Sequence, residues 1–533
     1  MNDGVPTAHG GRPIRRASIT NLGCKVNQAE MDALARLLRR RGVRLVGDGA
    51  PVDLHVVNTC TVTAVADDKS RKAARRARRT SPDATVIVTG CSVAVDPAGF
   101  AGDDLHALLA DSAAKDELLA EVERRLGGAE SGDERDRAGR EPDRSGPAAS
   151  LDGPLPTLAG VEIEGITDGR ARIDRTRAFV KVQDGCSFRC TYCIIPRARG
   201  AERSLTPDAV LADVRRALAA GHREIVLTGI NIGTYDGGWS ERGARGVHTR
   251  SALTLAGLVR RILAETDVER IRLSSIEPQH VDDDLLEAWT ADGTGRCLPH
   301  LHLPLQSGDD GVLRRMGRRY DTAFYAGVVA RIRAAVPDAA VHADMIVGFP
   351  TEDDAAWARS LAFAGWLDLA GIHVFRYSER PGTPATRMAG SVPESARRAR
   401  ATELLALAAS AHRRFAARAV GAERRVLFER PDPAGGWIGH AEDHVLVRAE
   451  VRAGSRADPG FLGDPSFLAG ELARVAIVGI DPVAPGRVVG RLLGLIPGSP
   501  GRFPAGPIQD AAVRFRAGAD APATLPSSSG GPA

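Results

Sequence analysis

The sequence predicts a mixed α/β chain of three units: an amino-terminal open parallel α/β domain (18–126), a central partial α/β barrel (173–412) and a small carboxyl-terminal β-barrel (418–495). Three observations carry that expectation. Strand-like apolar runs alternate with helical patterns from Ser18 to Leu126 and again from Thr176 to Ser410, the pattern of a wound parallel sheet. Between them lies a linker, 127–172, whose first part to Gly160 is rich in Gly, Pro, Ser, Asp and Arg and poor in large apolar residues. Beyond Val420 regular helical patterns stop and β-like runs continue alone.

In the first unit, Leu54–Val57 and Thr85–Val88 read as strands, and Gln28–Arg41 and Ala114–Leu126 as helices. Asp68–Arg79 reads as a further helix whose Ala73, Ala74 and Ala77 face inward. Its outer face carries Lys69, Arg71, Lys72, Arg75, Arg76 and Arg79, with Arg78. A phosphate-binding face and a merely solvated one fit this composition equally, and the first makes these residues candidate RNA contacts.

In the second unit six strands are expected: Phe179–Val182, Glu224–Leu227, Arg270–Leu273, His300–Leu305, Val341–Val347 and Ile372–Phe375. With intervening helices they suit a barrel open on one side, whose active groups lie at the carboxyl ends of strands. Cys186, Gly229, Ser275, Gln306, Gly348 and Tyr377 fall there. Gly229 and Gly348 either pack or admit a cofactor closely, and Ser275, Glu277 and Gln306 are candidate cofactor or substrate contacts. Asp344 either orients a ligand or is a buried, hydrogen-bonded carboxylate. His300 and His302 alternate on one strand and are readable as metal ligands, although packed histidines are commoner; Cys297 reads as structural.

The third unit offers Arg425–Phe428, Val445–Val451, Ala473–Ile480 and Arg487–Leu493 as strands of a small barrel. Ala453–Gly470 reads as an insertion in it, and 497–533 as a disordered tail.

Composition sets bounds. A chain of 533 residues has room for about three domains, and 43% hydrophobic with 26% charged residues is a globular balance. A net charge of +4 does not by itself announce a nucleic-acid binder. No apolar run follows Arg15 and Arg16, and the longest apolar stretch, Leu361–Phe375, contains Asp368 and His373 and is short for a membrane span. Seven cysteines, an odd number, argue against a secreted disulfide framework. A soluble cytoplasmic protein with no membrane partner is expected.

Six of those cysteines form two trios. Cys186, Cys190 and Cys193 are spaced Cys-x-x-x-Cys-x-x-Cys in one loop, which suggests an iron-sulfur cluster with one iron left for a ligand other than protein. A zinc knuckle would add a fourth ligand nearby, and the next histidine, His222, lies beyond an expected helix. Cys24, Cys60 and Cys91 are dispersed, each after a short apolar run with Gly or Asn beside it. Strand ends of an open α/β sheet would gather them in one crevice; each alone also fits a small core residue.

The compact trio, with Tyr192 before its last cysteine, resembles the radical S-adenosylmethionine enzymes. The resemblance implies that Cys186, Cys190 and Cys193 hold a four-iron cluster whose open iron chelates S-adenosylmethionine, with Tyr192 near the adenine. Gly23-Cys24-Lys25-Val26-Asn27, Asn58-Thr59-Cys60-Thr61-Val62-Thr63, Asp68-Lys69-Ser70-Arg71, Thr89-Gly90-Cys91 and Cys193-Ile194-Ile195-Pro196-Arg197-Ala198-Arg199-Gly200 narrow the likeness. Together they resemble the methylthiotransferases, in particular the branch acting on threonylcarbamoyladenosine in tRNA. The likeness runs from about Ser18 to about Ala385 and includes Arg272-Leu273-Ser274-Ser275-Ile276-Glu277, His300-Leu301-His302-Leu303-Pro304-Leu305-Gln306-Ser307-Gly308 and Asp344-Met345-Ile346-Val347-Gly348-Phe349-Pro350.

What the resemblance implies is methylthio transfer to carbon 2 of the modified adenosine at tRNA position 37. A second four-iron cluster on Cys24, Cys60 and Cys91 would present an exogenous sulfur. One S-adenosylmethionine would methylate that sulfur, and another would be cleaved at the compact trio to a radical that abstracts hydrogen from the adenine. No catalytic residue beyond the cluster ligands is implied; an electron donor and a sulfur source are implied without identity. By position the third unit resembles the RNA-binding TRAM module, although Glu442-Asp443-His444-Val445 stands where that family usually has an aromatic residue. Isopentenyladenosine of tRNA, or an aspartate of a ribosomal protein, would suit the same chemistry. A non-catalytic iron-sulfur or zinc RNA-binding protein is the reading from another class.

Overall fold

The computed structural model describes residues 14–47, 50–100, 176–238, 253–291, 293–433, 435–450, 468–484 and 486–498, and the backbone of one strand at Ala107–Ala110. The expected helix Ala114–Leu126, the linker 127–172, most of the insertion Ala453–Gly470 and nearly all of the tail lie outside the described residues.

The first unit is a five-stranded sheet: β1 (Arg16–Asn21), β2 (Arg44–Leu45), β3 (Leu54–Thr59), β4 (Thr85–Gly90) and β5 (Ala107–Ala110), in the order β2-β1-β3-β4-β5 with every pair parallel. This doubly wound order places a switch point between β1 and β3, where ligands bind beyond the strands' carboxyl ends. β3 is buried along its whole length, as a parallel strand covered on both faces must be. Helix α1 (Lys25–Arg40) packs Met31, Leu34 and Leu38 on one face of the sheet. Helix α2 (Ala64–Thr80) begins four residues before the expected start, because the Thr63 side chain accepts the Ala66 amide and caps it. Ala74 and Ala77 face inward as the spacing requires. A short helix, α3 (Cys91–Val95), follows β4.

In the second unit, β6 (Arg177–Lys181) leads into a small hairpin of β7 (Gln183–Asp184) and β8 (Arg203–Ser204). β9 (Glu224–Thr228), β10 (Arg270–Leu273), β11 (His300–His302), β12 (Ala340–Val347) and β13 (Gly371–Arg376) complete the series. They form two parallel three-stranded sheets, β10-β9-β6 and β11-β12-β13. Parallel bridges Ile271 to Cys297 and Ser275 to His302 join them, so all six strands curve in chain order and leave β6 and β13 as open edges. All six expected strands are present. β11 is three residues rather than six, because Pro304 cannot donate to the ladder and Gln306 takes a left-handed backbone at φ 68°. Apolar side chains of strands and outer helices form one large core, in which Cys297 is buried.

The third unit is a closed barrel of β14 (Glu423–Pro431), β15 (Trp437–His440), β16 (Leu446–Glu450), β17 (Leu472–Ile480) and β18 (Arg487–Leu495), in the order β14-β15-β16-β18-β17. β15 was not among the expected strands; it is four residues long and preceded by Gly435 and Gly436, too short for alternation to register. The helix Glu394–Ala417 leads into it and buries Phe415 in its core. This barrel seats on the amino ends of the central strands: Arg270 donates to the carbonyls of Arg425 (3.1 Å) and Ala441 (3.2 Å), and Arg177 pairs with Glu429 (3.3 Å). It therefore closes the end opposite the carboxyl-end mouth. Among the described residues no helix is long and apolar enough to cross a membrane.

Candidate active site

Cys24, Cys60 and Cys91 follow β1, β3 and β4, three neighbouring strands, at their carboxyl ends. Two buried asparagines fix the turns. Asn27 donates to Asn58 Oδ1 (2.8 Å), Asn58 donates back to the Asn27 carbonyl (3.2 Å), and the Cys24 thiol donates to Asn27 Oδ1 (3.3 Å). The Cys60 amide donates to Ser70 Oγ (3.2 Å), which gives the Asp68-Lys69-Ser70-Arg71 segment a structural task. Gly90, at φ 105°, has no room for a Cβ against Asn58 and the Thr59 backbone, so only glycine can precede Cys91 there.

Burial pushes the Cys60 thiol up to about 11, with Cys91 and Cys24 adding to the rise. Burial also raises Cys24, opposed by Arg199 and supported by Cys91. Each thiol thus feels the others. Cys24 is nonetheless solvent-accessible, as a residue lining a crevice would be.

The compact trio lies in the loop that the β7–β8 hairpin closes. The Cys186 amide donates to the Gly200 carbonyl (3.1 Å), and Gln183 Nε2 donates to the carbonyls of Asp184 (2.9 Å) and Gly185 (2.8 Å). Gly185, at φ 70°, abuts the Ala201 carbonyl where a Cβ would stand. The far side is pinned by Thr191, whose amide and hydroxyl donate to the carbonyls of Met316 (2.9 Å) and Arg315 (2.8 Å). Burial and the neighbouring thiols push Cys186 up to about 11 and Cys193 up to about 12. Two sets of mutually interacting thiols suit clusters, which bind cysteine as thiolate.

One arginine reaches a sulfur in each set. Arg318 donates to Cys190 Sγ and to Tyr192 Oη (both 3.3 Å), pairs with Glu277, and donates to Tyr320 Oη (3.0 Å). Arg199, fully buried on the helix Ile195–Arg199 just after the compact trio, donates to Cys91 Sγ (3.3 Å) in the other domain. It also contacts Asn27 Oδ1 (2.6 Å), Glu30 (3.1 Å) and Asp184 (2.9 Å). Burial opposes its charge, yet the Cys91, Glu30 and Asp184 groups hold it protonated. Neither arginine's role was legible in the sequence: Arg199 stands in the Cys193–Gly200 segment of the resemblance with no task attached, and Arg318 is one of 71 basic residues.

Further contacts span the barrel's open side. Lys181 pairs with Glu30 (3.3 Å) and α1 packs on β6, while beyond β13 Arg380 pairs with Asp67 and donates to Thr61 Oγ1 (2.6 Å). Ser378 Oγ accepts the Ala64 amide (3.0 Å). The first domain therefore bridges both open edges, with its thiols beside the barrel mouth.

The remaining expected site residues divide. Ser275, Glu277 and Gln306 do lie at the mouth: Ser275 bridges to His302, Glu277 is held by Arg318, and the Gln306 amide donates to the Asp344 carbonyl (2.7 Å). Tyr192 packs edge-on to Phe349, with ring centroids 6.5 Å apart. Gly229 abuts Gln183 and Ile232, and Gly348, at φ 73°, abuts Arg397, so packing already accounts for both glycines. Asp344 is the hydrogen-bonded carboxylate: Oδ1 contacts His302 Nε2 (2.8 Å) and His373 Nδ1 (3.2 Å). Burial opposes its ionisation, but the two imidazoles hold it well below the usual carboxylate range.

On α2, Lys69, Arg75, Arg76 and Arg79 are exposed, whereas Arg71 turns inward to Asp96 (3.1 Å) over Phe100 and Lys72 pairs with Asp68 (2.7 Å). The basic face is thus narrower than the sequence suggests.

Comparison with known proteins places residues 180–364 in the Radical SAM superfamily and residues 16–108 in the uncharacterized protein family UPF0004. The threonylcarbamoyladenosine tRNA methylthiotransferase MtaB of Bacillus subtilis is 32% identical over 430 residues, 80% of this chain and 88% of that protein. The Thermotoga maritima protein of the same name is 32% identical over 433 residues, 81% and 91% of the two chains. The tRNA-2-methylthio-N(6)-dimethylallyladenosine synthase of Maricaulis maris is 32% identical over 458 residues, 82% and 91%. Among solved structures, the radical S-adenosylmethionine methyltransferase TsrM of Kitasatospora setae matches with TM-score 0.46 at 16% identity, over 70% of this chain and 75% of that one.

Proposed function

The chain belongs to the radical S-adenosylmethionine methylthiotransferases, and from that membership we propose that it transfers a methylthio group to carbon 2 of N-threonylcarbamoyladenosine at tRNA position 37. Membership brings a four-iron cluster and S-adenosylmethionine. We assign that cluster to Cys186, Cys190 and Cys193, and a second four-iron cluster to Cys24, Cys60 and Cys91. When bound, the first cluster would pass an electron from an external donor to S-adenosylmethionine, which would supply the radical and the methyl group, and the second would present a sulfur drawn from an external source.

The chain's own residues hold and orient. The observation that carries the reading is the placement of a second thiol trio at three adjacent strand ends, locked to the radical loop through Arg199. One trio would serve radical formation; a second suits delivery of sulfur to the same mouth. Arg199 and Arg318 each direct N–H groups at a ligand sulfur, a contact that tunes cluster potential. Tyr192, held by Arg318 and Phe349, forms a wall for the adenine end of the cofactor, and Ser275, Glu277 and Gln306 offer polar contacts. Lys69, Arg75, Arg76 and Arg79 supply phosphate contacts on α2, on the domain that borders the mouth. The cytoplasm, where tRNA is found, is the proposed location.

Nucleoside mass spectrometry of tRNA from cells with and without the gene tests the substrate. Loss of the methylthio form of threonylcarbamoyladenosine, with its parent accumulating, is expected. Loss of the methylthio form of isopentenyladenosine instead would move the assignment to the activity named for the Maricaulis maris relative, which is as similar in identity.

A further inference from the structure

His300 opens β11, His342 lies on β12, and His444 comes from the turn between β15 and β16 of the carboxyl-terminal barrel. One ring nitrogen of each lies within 4.8 Å of the other two. The His300 ring stacks on His444 with centroids 4.6 Å apart and lies 4.8 Å from His342. Nδ1 of His300 and Nδ1 of His342 are buried without a hydrogen-bond partner among the described residues. A buried polar atom left so costs about 1–3 kcal/mol, and two of them in neighbouring rings call for a ligand.

His444 adds a second sign. Its backbone sits in the left-handed region at φ 68°, a conformation that costs a non-glycine residue on the order of 1 kcal/mol. The turn that imposes it, closed by the Ala441 amide on the Val445 carbonyl (2.9 Å), presents the imidazole to the barrel floor. Burial keeps all three rings neutral, the form that binds metal.

We propose that His300, His342 and His444 bind one transition-metal ion of the Zn2+ class at the floor of the central barrel, and that this ion clasps the carboxyl-terminal barrel onto it. The ligand set is all imidazole, which suits zinc, copper or nickel, with water in the fourth position. Tetrahedral bonds of about 2.0–2.1 Å bring nitrogens to about 3.3–3.4 Å, so the rings must close by at most about 1.5 Å, within reach of rotation about their side-chain bonds. The cations nearby oppose a metal ion: Arg177 and Arg272 are paired with Glu429 (3.3 Å) and Glu224 (2.7 Å), but Arg177 also contacts His444 Nε2 (3.5 Å) and must give way if that nitrogen is the ligand, and the Lys25 ammonium, disfavoured by burial, faces His300. The neighbouring His302, Asp344 and His373 do not form an equivalent site, because both imidazoles already contact one carboxylate oxygen. The site lies toward the amino ends of the central strands, uses none of the six cluster cysteines, and does not depend on the proposed substrate.

The test uses the full chain, reconstituted anaerobically with iron and sulfide, given one equivalent of Zn2+ and desalted against a weak chelator. Elemental analysis and zinc-edge X-ray absorption then read content and ligands. The expected result is about one zinc per chain with a nitrogen/oxygen first shell, imidazole scattering and no sulfur at about 2.3 Å. His342→Ala and His444→Asn should each lower retained zinc at least tenfold with iron unchanged. No retained zinc in the unmodified chain, or a sulfur shell, overturns the proposal; the absorption spectrum decides even if a variant fails to fold.

Discussion

The two thiol trios solve one problem by opposite routes. The compact trio is local: eight residues of one loop supply all three sulfurs, and the β7–β8 hairpin with a few carbonyl contacts shapes it. The dispersed trio is topological: its sulfurs come from three separate strand ends and meet only once β1, β3 and β4 have paired in parallel. Both converge on one chemical arrangement, three thiols with an arginine N–H 3.3 Å from one sulfur. The compact site can form wherever its loop is closed, while the dispersed site requires its domain to be folded and docked.

Breaking the trios singly gives the largest expected effect. Cys60→Ala should abolish methylthio product, at least a hundredfold, while S-adenosylmethionine cleavage persists; Cys190→Ala should abolish both, as product and cleavage assays on the same preparations will show. Retained product in Cys60→Ala would dissolve the distinction between the sites.

Next come the arginines. Arg199→Met removes the buried guanidinium that Asp184 and Glu30 share and leaves them the Lys181 and Arg203 pairs, a loss below the roughly 3–5 kcal/mol of a buried charge left with no partner. It should lower the denaturation midpoint and expose the junction between the first two domains to protease. Arg318→Met should leave the domains docked but lower the potential of the compact cluster, since one N–H donor to Cys190 is lost; an EPR-monitored redox titration reads it. Equal domain loosening in both variants would contradict the separate roles given to these arginines.

A smaller effect follows from pH. Cys60 and Cys186 titrate near 11 in the folded chain without clusters, above an unfolded thiol at about 8.5. The sign is therefore that stability conferred by the neutral thiols is present below about 8.5 and is lost as pH rises toward 11, because the unfolded chain ionises first. Urea midpoints of the cluster-free chain should fall between pH 8 and about 10.5, and those of the cluster-loaded chain should fall less, its thiols already being bound.

The smallest effects belong to α2. Arg75→Ala with Arg79→Ala should weaken tRNA binding and flatten its salt dependence by about 0.7–0.9 per lost phosphate contact. Lys72→Ala, which removes an exposed pair with Asp68, should leave the denaturation midpoint essentially unchanged.

The same contrast governs what could be read in advance. The compact spacing was visible directly, and the six central strands were visible as short apolar or alternating runs between helical patterns. The dispersed trio was legible only through its strand-end contexts and family likeness. The roles of Arg199 and Arg318 were not legible, because their significance is a contact across 108 and 128 residues of sequence and arginine is everywhere in this chain. His300 and His302 looked like one pair by alternation; the fold sends them to different partners, His444 and His342 for the first, Asp344 and His373 for the second. A pattern on one strand does not say what faces it.

The most direct test of two separate cluster sites is iron and acid-labile sulfide content, with Mössbauer spectra, of the anaerobically reconstituted chain and of two triple variants. About eight irons should be present in the unmodified chain and about four in each of the chains lacking Cys24, Cys60 and Cys91 or lacking Cys186, Cys190 and Cys193, as two four-iron clusters require. Full retention of iron after removal of the dispersed trio, or its complete loss after removal of either, would contradict the account.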